Sequence, residues 1–318
     1  MRGKSILTVL VLLISVFCID LCFANLVPLE NAIYWTTVFG KSIKKADLLT
    51  QEVEVIVSGV NITTGIAFDA VNRKIYWSGG QPAGIYRANL DGTNIELLIG
   101  SCGPGGLCGY ENIALDIASG KMYWTESGIN RQYYKLRRAN LDGSNVEDVI
   151  PTTELTRPYG IALDLFSGKV YWAEGALGSV SGKIRRANLD GTNIEDLIAV
   201  GLCTFGLELD LAGGKMYWTN NNEGQLWRAN IDGTLPELLV SGLDNPLGLA
   251  LDLVNSKIYC AEHYAGIIKM ANLDGTDVTD FLISERGKVQ GLALYVVPEP
   301  STILLLGLGG LFLRKRRR

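Results

Sequence analysis

A unit of forty-odd residues recurs along this chain, and few folds accommodate such a period. Tyr-Trp pairs begin at Tyr34, Tyr76, Tyr123, Tyr171 and Tyr217, and a sixth copy reads Tyr259-Cys260, at spacings of 42, 47, 48, 46 and 42 residues. Two further elements keep a fixed place around each pair. G-I-A-L-D or a relative of it occupies 65–69, 112–116, 160–164, 206–210 and 248–252, and a displaced sixth copy occupies 291–295. A-N-L-D-G occupies 88–92, 139–143, 187–191 and 271–275, A-N-I-D-G occupies 229–233, and a decayed form survives as Ala46-Asp47-Leu48. The best-kept copy, residues 160–200, contains four short apolar runs, each of strand length. A period in the forties built from four strand-length pieces predicts propeller blades, and six copies predict six of them.

The runs differ in character, which assigns each a depth in its blade. The first is apolar up to its final Asp, as expected of a strand buried on both faces near the axis. The fourth carries charge, with Glu147 and Asp148, Glu195 and Asp196, or Asp277 and Asp280, as expected at a rim where charge discourages edge pairing. Asp-Gly between the third and fourth runs is hairpin chemistry, since glycine takes a positive φ without a Cβ clash. The chain begins with a second run and ends with a first run. The expected fold is therefore all-β: a six-bladed β-propeller, four antiparallel strands per blade, with the C-terminal strand closing the first blade. The repeated Tyr and Trp are expected to pack between blades, and the Asp ending each first run to be a structural hydrogen-bond partner.

These three elements together resemble the YWTD repeat, the class B repeat of low-density lipoprotein receptors, over roughly residues 33–296. The resemblance implies a six-bladed propeller whose better-known members act in extracellular recognition. One position departs from it: the Asp after Tyr-Trp-Thr is here Thr37, Gly79, Glu126, Glu174, Asn220 and Glu262. Hydrogen bonds of that Asp cannot be carried over wholesale.

The two ends read as targeting segments. Arg2 and Lys4, an apolar run over 6–19 and Cys22-Phe23-Ala24 have the layout of a cleaved signal peptide, residues 1–24. Residues 297–318 follow the propeller (25–296) with Pro298-Glu299-Pro300, an apolar stretch over 303–313 and five basic residues over 314–318. The apolar stretch is short for a comfortable membrane span, and the basic end would stay cytoplasmic. This order resembles the PEP-CTERM sorting tail of bacterial exported proteins. It implies processing by an exosortase, transient anchoring in the inner membrane, and delivery to the cell surface or extracellular matrix. Without both ends the body holds 22 basic and 31 acidic side chains, a balance near −9 that argues against nucleic-acid partners.

Four antiparallel strands place loops 1–2 and 3–4 on one face and loops 2–3 and 4–1 on the other. The first set is uniform in sequence; the second varies, from the short 261–266 to the long 125–135, with 100–110 and 151–159 among the 4–1 loops. Variable loops on a rigid scaffold are where binding is usually built. Arg131, Tyr133 and Tyr134, with His263 and Tyr264, are the candidate contacts there; the tyrosines could equally pack the long loop onto its blade, and His263 could be ordinary surface. Glu126, Glu174 and Glu262 share one register at the start of loop 2–3. Two readings stand for them, an acidic arc that attracts cations or basic partners and plain solvated charge, and both put the carboxylates in water. Cys102 and Cys108 flank G-P-G-G-L and are candidates for a loop disulfide in an exported protein, while Cys203 and Cys260 are expected to be free thiols.

No catalytic or metal-ligand cluster stands out, so no catalytic residue, cofactor or metal is expected. A metal-dependent hydrolase or lyase would need oxygen ligands converging on the axis, yet the first positions of the axial strands are Gly65, Gly160, Gly206, Gly248 and Gly291, with Glu111 and Asn112 in the remaining copy. The sequence points to a non-enzymatic exported protein that binds protein or polysaccharide through its variable face. The metal-dependent enzyme and a purely structural cell-coat component remain as alternatives.

Overall fold

The computed structural model describes residues 31–38, 40–60, 63–80, 82–100, 109–127, 134–151, 153, 155–175, 182–200, 204–283 and 288–296. Its 24 strands form six four-stranded antiparallel sheets. Blade 1 holds β1 (Ala32–Thr37), β2 (Ser42–Asp47) and β3 (Val53–Ser58). Blade 2 holds β4 (Thr63–Asp69), β5 (Lys74–Gly79), β6 (Gly84–Asn89) and β7 (Glu96–Ile99); blade 3 holds β8 (Gly109–Asp116), β9 (Lys121–Ser127), β10 (Tyr134–Asn140) and β11 (Glu147–Ile150). Blade 4 holds β12 (Pro158–Asp164), β13 (Lys169–Glu174), β14 (Gly182–Asn188) and β15 (Glu195–Val200); blade 5 holds β16 (Thr204–Asp210), β17 (Lys215–Asn220), β18 (Gln225–Asn230) and β19 (Glu237–Ser241). Blade 6 holds β20 (Pro246–Asp252), β21 (Lys257–Glu262), β22 (Ile267–Asn272) and β23 (Thr279–Ile283), and β24 (Val289–Tyr295) returns to blade 1. The first strands β4, β8, β12, β16, β20 and β24 contact one another in turn around the axis.

The ring closes as the order of the repeats predicts. β24 pairs with β1, placing Ala32 opposite Tyr295 and Trp35 opposite Leu292. The Gly291 amide donates to Thr36 Oγ1 at 2.8 Å, and Val38 N to Lys288 O at 3.1 Å. The last strand is thus bonded to the first across most of the chain's length.

Neighbouring residues of a strand point to opposite faces, and in a propeller the two faces meet different blades. The Tyr-Trp pair uses both. Tyr76 packs with Ile113, Met122 and Trp124 of blade 3; Tyr123 packs with Val170 and Trp172 of blade 4; Tyr171 packs with Met216 and Trp218 of blade 5. Tyr217 and Tyr259 do the same toward Cys260 and Trp35, so five interfaces share this packing, and between blades 1 and 2 the Tyr34 ring lies 4.6 Å from that of Phe68. Cys260 fills the Trp place in blade 6 as a buried free thiol.

Polar repeats lock the same interfaces. Within a blade, the Asp ending the first strand (in every blade but the first, where β24 ends in Tyr295) turns its carboxylate onto loop 1–2: Asp69 accepts from Asn72 N at 2.8 Å, Asp116 from Ser119 N at 3.0 Å, Asp164 from Ser167 N at 2.9 Å, and Asp252 from Asn255 N at 2.9 Å. The strand-3 arginines reach forward to the next blade, where Arg87, Arg138 and Arg228 donate to the carbonyls of Leu141, Leu189 and Leu273 at 3.1, 3.1 and 2.9 Å. The Thr of Tyr-Trp-Thr bridges blades as well: Thr219 Oγ1 accepts from Gly206 N and donates to Leu247 O, both at 2.9 Å.

Candidate recognition face and axial channel

On the face of loops 2–3 and 4–1, blades 3 and 4 enclose a cleft of about 260 Å³ lined by Glu111, Ser127, Tyr134, Arg157, Pro158 and Tyr159. Tyr134 stands at the start of β10, where loop 2–3 rejoins the blade. Arg157 takes a positive φ of 46° just before β12, and its guanidinium lies 5.8 Å from the Tyr159 ring centroid. The Tyr159 ring in turn contacts Phe205 at 4.2 Å. Glu111 accepts a hydrogen bond from Ser127 Oγ at 2.9 Å, so a carboxylate, a guanidinium and a phenol share one cleft. Of the residues named from sequence, Tyr134 is here, while Arg131 and Tyr133 lie outside the described residues.

A second aromatic site lies where blades 6 and 1 meet. Tyr264 is exposed, and Lys288 Nζ sits 4.3 Å above its ring. His263 is half-buried, with Nδ1 2.9 Å from the Val289 carbonyl; a carbonyl only accepts, so Nδ1 carries the proton and donates. Burial holds the imidazole below its ordinary pKa, which favours the neutral ring near pH 7. Arg157, Tyr159, Phe205 and Lys288 escaped the sequence reading. Tyr159 and Phe205 left a signal, since they fall in one register, directly before the glycine of G-I-A-L-D, in adjacent copies.

Glu126, Glu174 and Glu262 require a correction. The expected solvated or arc-forming carboxylates are buried, at 3, 4 and 4% exposure. Glu174 accepts from Trp172 Nε1 at 2.7 Å and from Arg185 Nη1 at 3.3 Å, and Glu126 repeats this with Trp124 (3.2 Å) and Arg137 (3.4 Å). Glu262 accepts from the Asp244 amide at 3.0 Å. The cause is register. Arg185 is directly opposite Trp172, and Arg137 opposite Trp124, so each arginine crosses its indole (5.6 and 5.9 Å to the ring) to reach the acid two residues on. In blades 1 and 2 that acid is Thr37 or Gly79, and the Nε1 atoms of Trp35 and Trp77 are buried without a partner. Burial raises the Glu174 pKa even against its two donors. Glu174→Ala is expected to cost about 1–3 kcal/mol, the penalty for stranding a buried indole N–H, while Arg185 keeps its bond to Asp196. A thermal melt checks this, and an unchanged midpoint would show that the pairing contributes nothing.

The axis itself is lined by the first strands. Their glycines do not form a ligand ring but let strands touch: a Cβ on Gly160 would lie 2.4 Å from Phe205 O, and one on Gly248 2.3 Å from Gln290 O. On the uniform side the channel widens to a cavity of about 350 Å³, lined almost wholly by Ala, Leu, Ile and Phe. Around that mouth stand exposed apolar residues, including Phe166 at 98% and Val71 at 79%. Among the described residues no group of three or more His, Cys, Asp or Glu could hold a metal ion.

Comparison with known proteins identifies two segments of the chain. The low-density lipoprotein receptor repeat class B matches residues 120–165, and the PEP-CTERM protein-sorting motif matches 296–318. The matched class B repeat lies within a six-bladed β-propeller. Low-density lipoprotein receptor-related protein 5 of Mus musculus is 35% identical over 102 residues, which is 31% of this chain but only 6% of that much longer protein. A chain in the crystal structure of the nidogen/laminin complex superposes with a TM-score of 0.73 at 21% identity, covering 84% of this chain and 98% of that chain. A gluconolactonase of Xanthomonas campestris shares the fold more loosely, with a TM-score of 0.59 at 19% identity over 72% of this chain and 78% of its own. The propeller architecture is thus shared with a chain of the nidogen/laminin complex and with a gluconolactonase. Cys102, Cys108, Pro298, Glu299 and Pro300 lie outside the described residues.

Proposed function

We propose that this YWTD propeller is a non-enzymatic exported protein of the cell surface or extracellular matrix that binds protein or polysaccharide through its variable face. The observation that carries the reading is the cleft between blades 3 and 4. Tyr134 and Arg157 present aromatic and guanidinium groups beside Glu111, the residue types that dominate binding energy at interfaces and stack on sugars. The ends of the described chain support the same face. Strand 1 of each blade runs toward the uniform side, so Tyr295 and its partner Ala32 both lie there. The variable face is the opposite one, away from both terminal strand ends of the propeller.

The test is retention of secreted matrix components on the immobilised propeller. Tyr134→Ala combined with Arg157→Asn, chosen because Asn tolerates a positive φ, is expected to lower retention about tenfold or more when measured well below the variant's own melting temperature, since Tyr134 also packs against the core between blades 3 and 4. Phe166→Ser on the uniform face serves as the control and should retain as wild type. Loss in the control together with full retention in the double variant would move the binding surface to the other face.

A further inference from the structure

The six axial strands agree on a small residue at one position and break the rule once. Ala67, Ala114, Ala162, Ala250 and Ala293 occupy the place between the apolar pair of G-I-A-L-D; in blade 5 the sequence is G-L-E-L-D and the residue is Glu208. All six line the wide cavity on the uniform side. Glu208 also borders the narrower part of the channel toward the variable face. What its side chain leaves exposed faces the channel, with protein all around. Among the described residues nothing donates to its carboxyl and no cation pairs with it; burial alone pushes its pKa up to about 8. An uncompensated acid among alanines destabilises a fold that five other copies show how to avoid, and such groups mark functional sites.

The surroundings select the ligand. One carboxyl is too few oxygens for a calcium or magnesium site. The side chains of the wide cavity's wall offer a sugar's hydroxyls, or the five N–H groups of a guanidinium, no polar partner other than Glu208. They do suit a methylene chain. From Glu208 to the end of its strand at Asp210 is two residues, about 7 Å, a depth that a lysine side chain or hexylamine nearly spans, with Leu211 in the turn beyond, at the mouth. Leu165 and Leu211 form a half-exposed lip there. We propose that the axial channel is a binding site for a linear aliphatic amine, a free alkylammonium or a lysine side chain, which enters from the uniform face with its ammonium on Glu208 and its methylenes against the apolar wall. The binding step conserves atoms and charge: the ligand arrives as ammonium, Glu208 gives its proton to solvent, and an ion pair replaces the neutral acid.

Titration calorimetry near pH 7 with n-hexylamine and hexan-1-ol tests this, run in two buffers of different ionisation enthalpy. Hexylamine is expected to bind about tenfold or more tightly than the alcohol, the size of one charge-assisted hydrogen bond, and its heat to change with the buffer as a proton is released. Glu208→Gln keeps the shape of the neutral acid and should lose that advantage and the buffer dependence. Glu208→Ala, which copies the other five blades, should do the same in a protein at least as stable. A capped Gly-Lys-Gly peptide and its Nε-acetyl form separate the two sources: binding of the first alone extends the site to lysine side chains, and binding of hexylamine alone limits it to free amines. Equal binding of amine and alcohol, full affinity in Glu208→Gln, or no saturable heat at millimolar amine would each overturn the proposal.

Discussion

Alanine at Gly191 is expected to lower the melting temperature by roughly 10 °C, whereas alanine at Gly168, only a hairpin away, lowers it by about 3 °C. Both glycines hold a positive φ, 86° and 66°, so both substitutions incur the left-handed penalty of an L-residue, about 1–2 kcal/mol. They differ in what a side chain would meet. At Gly168 nothing lies within 4 Å of a built Cβ. At Gly191 the Cβ would stand 2.0 Å from the Val149 carbonyl oxygen of the preceding blade, a main-chain atom inside β11 that no rotamer change can move. Relieving that overlap means parting two blades at the rim, an overpacking cost of about 1–3 kcal/mol on top of the strain. The other Asp-Gly turns repeat the geometry, with Gly92 against Ile56 O and Gly143 against Leu98 O at 2.0 and 2.5 Å. Equal melting temperatures for the two variants would mean that φ alone requires glycine at Gly191 and that the blades do not depend on this approach.

The contrast shows where sequence reasoning stopped. The Asp-Gly hairpin was legible because turn chemistry is local, but the second reason for its glycine lies some forty residues upstream on another sheet. The blade count, the axial and rim strands and the closing strand were legible for the same reason that repeats are: one error-tolerant pattern is stated six times. Glu126, Glu174 and Glu262 were misplaced in water because their partners are set by cross-strand register. Even so, the repeat carried a hint. Blades 3, 4 and 6 combine the acid with Arg137, Arg185 or Lys269 opposite the indole or thiol position, while blades 2 and 5 combine Gly79 or Asn220 with Tyr86 or Trp227 stacked on the indole. Two residues that change together across copies of one unit must meet in it. The candidate cleft was less legible, since Arg157 comes from an irregular loop where no copy predicts another, and Tyr159, at the start of β12, left only the register it shares with Phe205. Glu208 was in plain view, and a reading that asks what repeats share passes over the copy that differs.

That difference has a measurable consequence for stability. Wild-type protein is expected to lose stability between about pH 4.5 and pH 8, by an amount on the order of a few kcal/mol, and Glu208→Ala is expected to lose much less over the same interval. The sign follows from the direction of the shift. Burial raises the folded-state pKa of Glu208 to about 8, while the unfolded chain titrates near the ordinary value for glutamate. Below pH 4.5 both states hold the proton, and the group has no pH-dependent effect. Between the two values the folded state binds more protons than the unfolded one, so stability falls as pH rises; above 8 both have released it and the loss is complete. The exposed Asp91, Asp142, Asp190, Asp232 and Asp274 work in the opposite direction and at lower pH, because hydrogen bonds from Thr93, Ser144, Thr192, Thr234 and Thr276 hold their pKa values down. Their contribution is complete once pH exceeds the ordinary aspartate range and cannot mask a decline toward pH 8. Chemical denaturation at pH 5, 7 and 9 for wild type and Glu208→Ala separates the two effects. Parallel stability curves would place the Glu208 carboxyl in ordinary contact with water and leave the channel without an acid to hold a ligand. A wild-type decline that an alkylammonium salt reverses at pH 9, and that Glu208→Ala does not show, would tie the destabilising acid to the ligand that compensates it, since anything bound only to the folded state raises its stability by mass action.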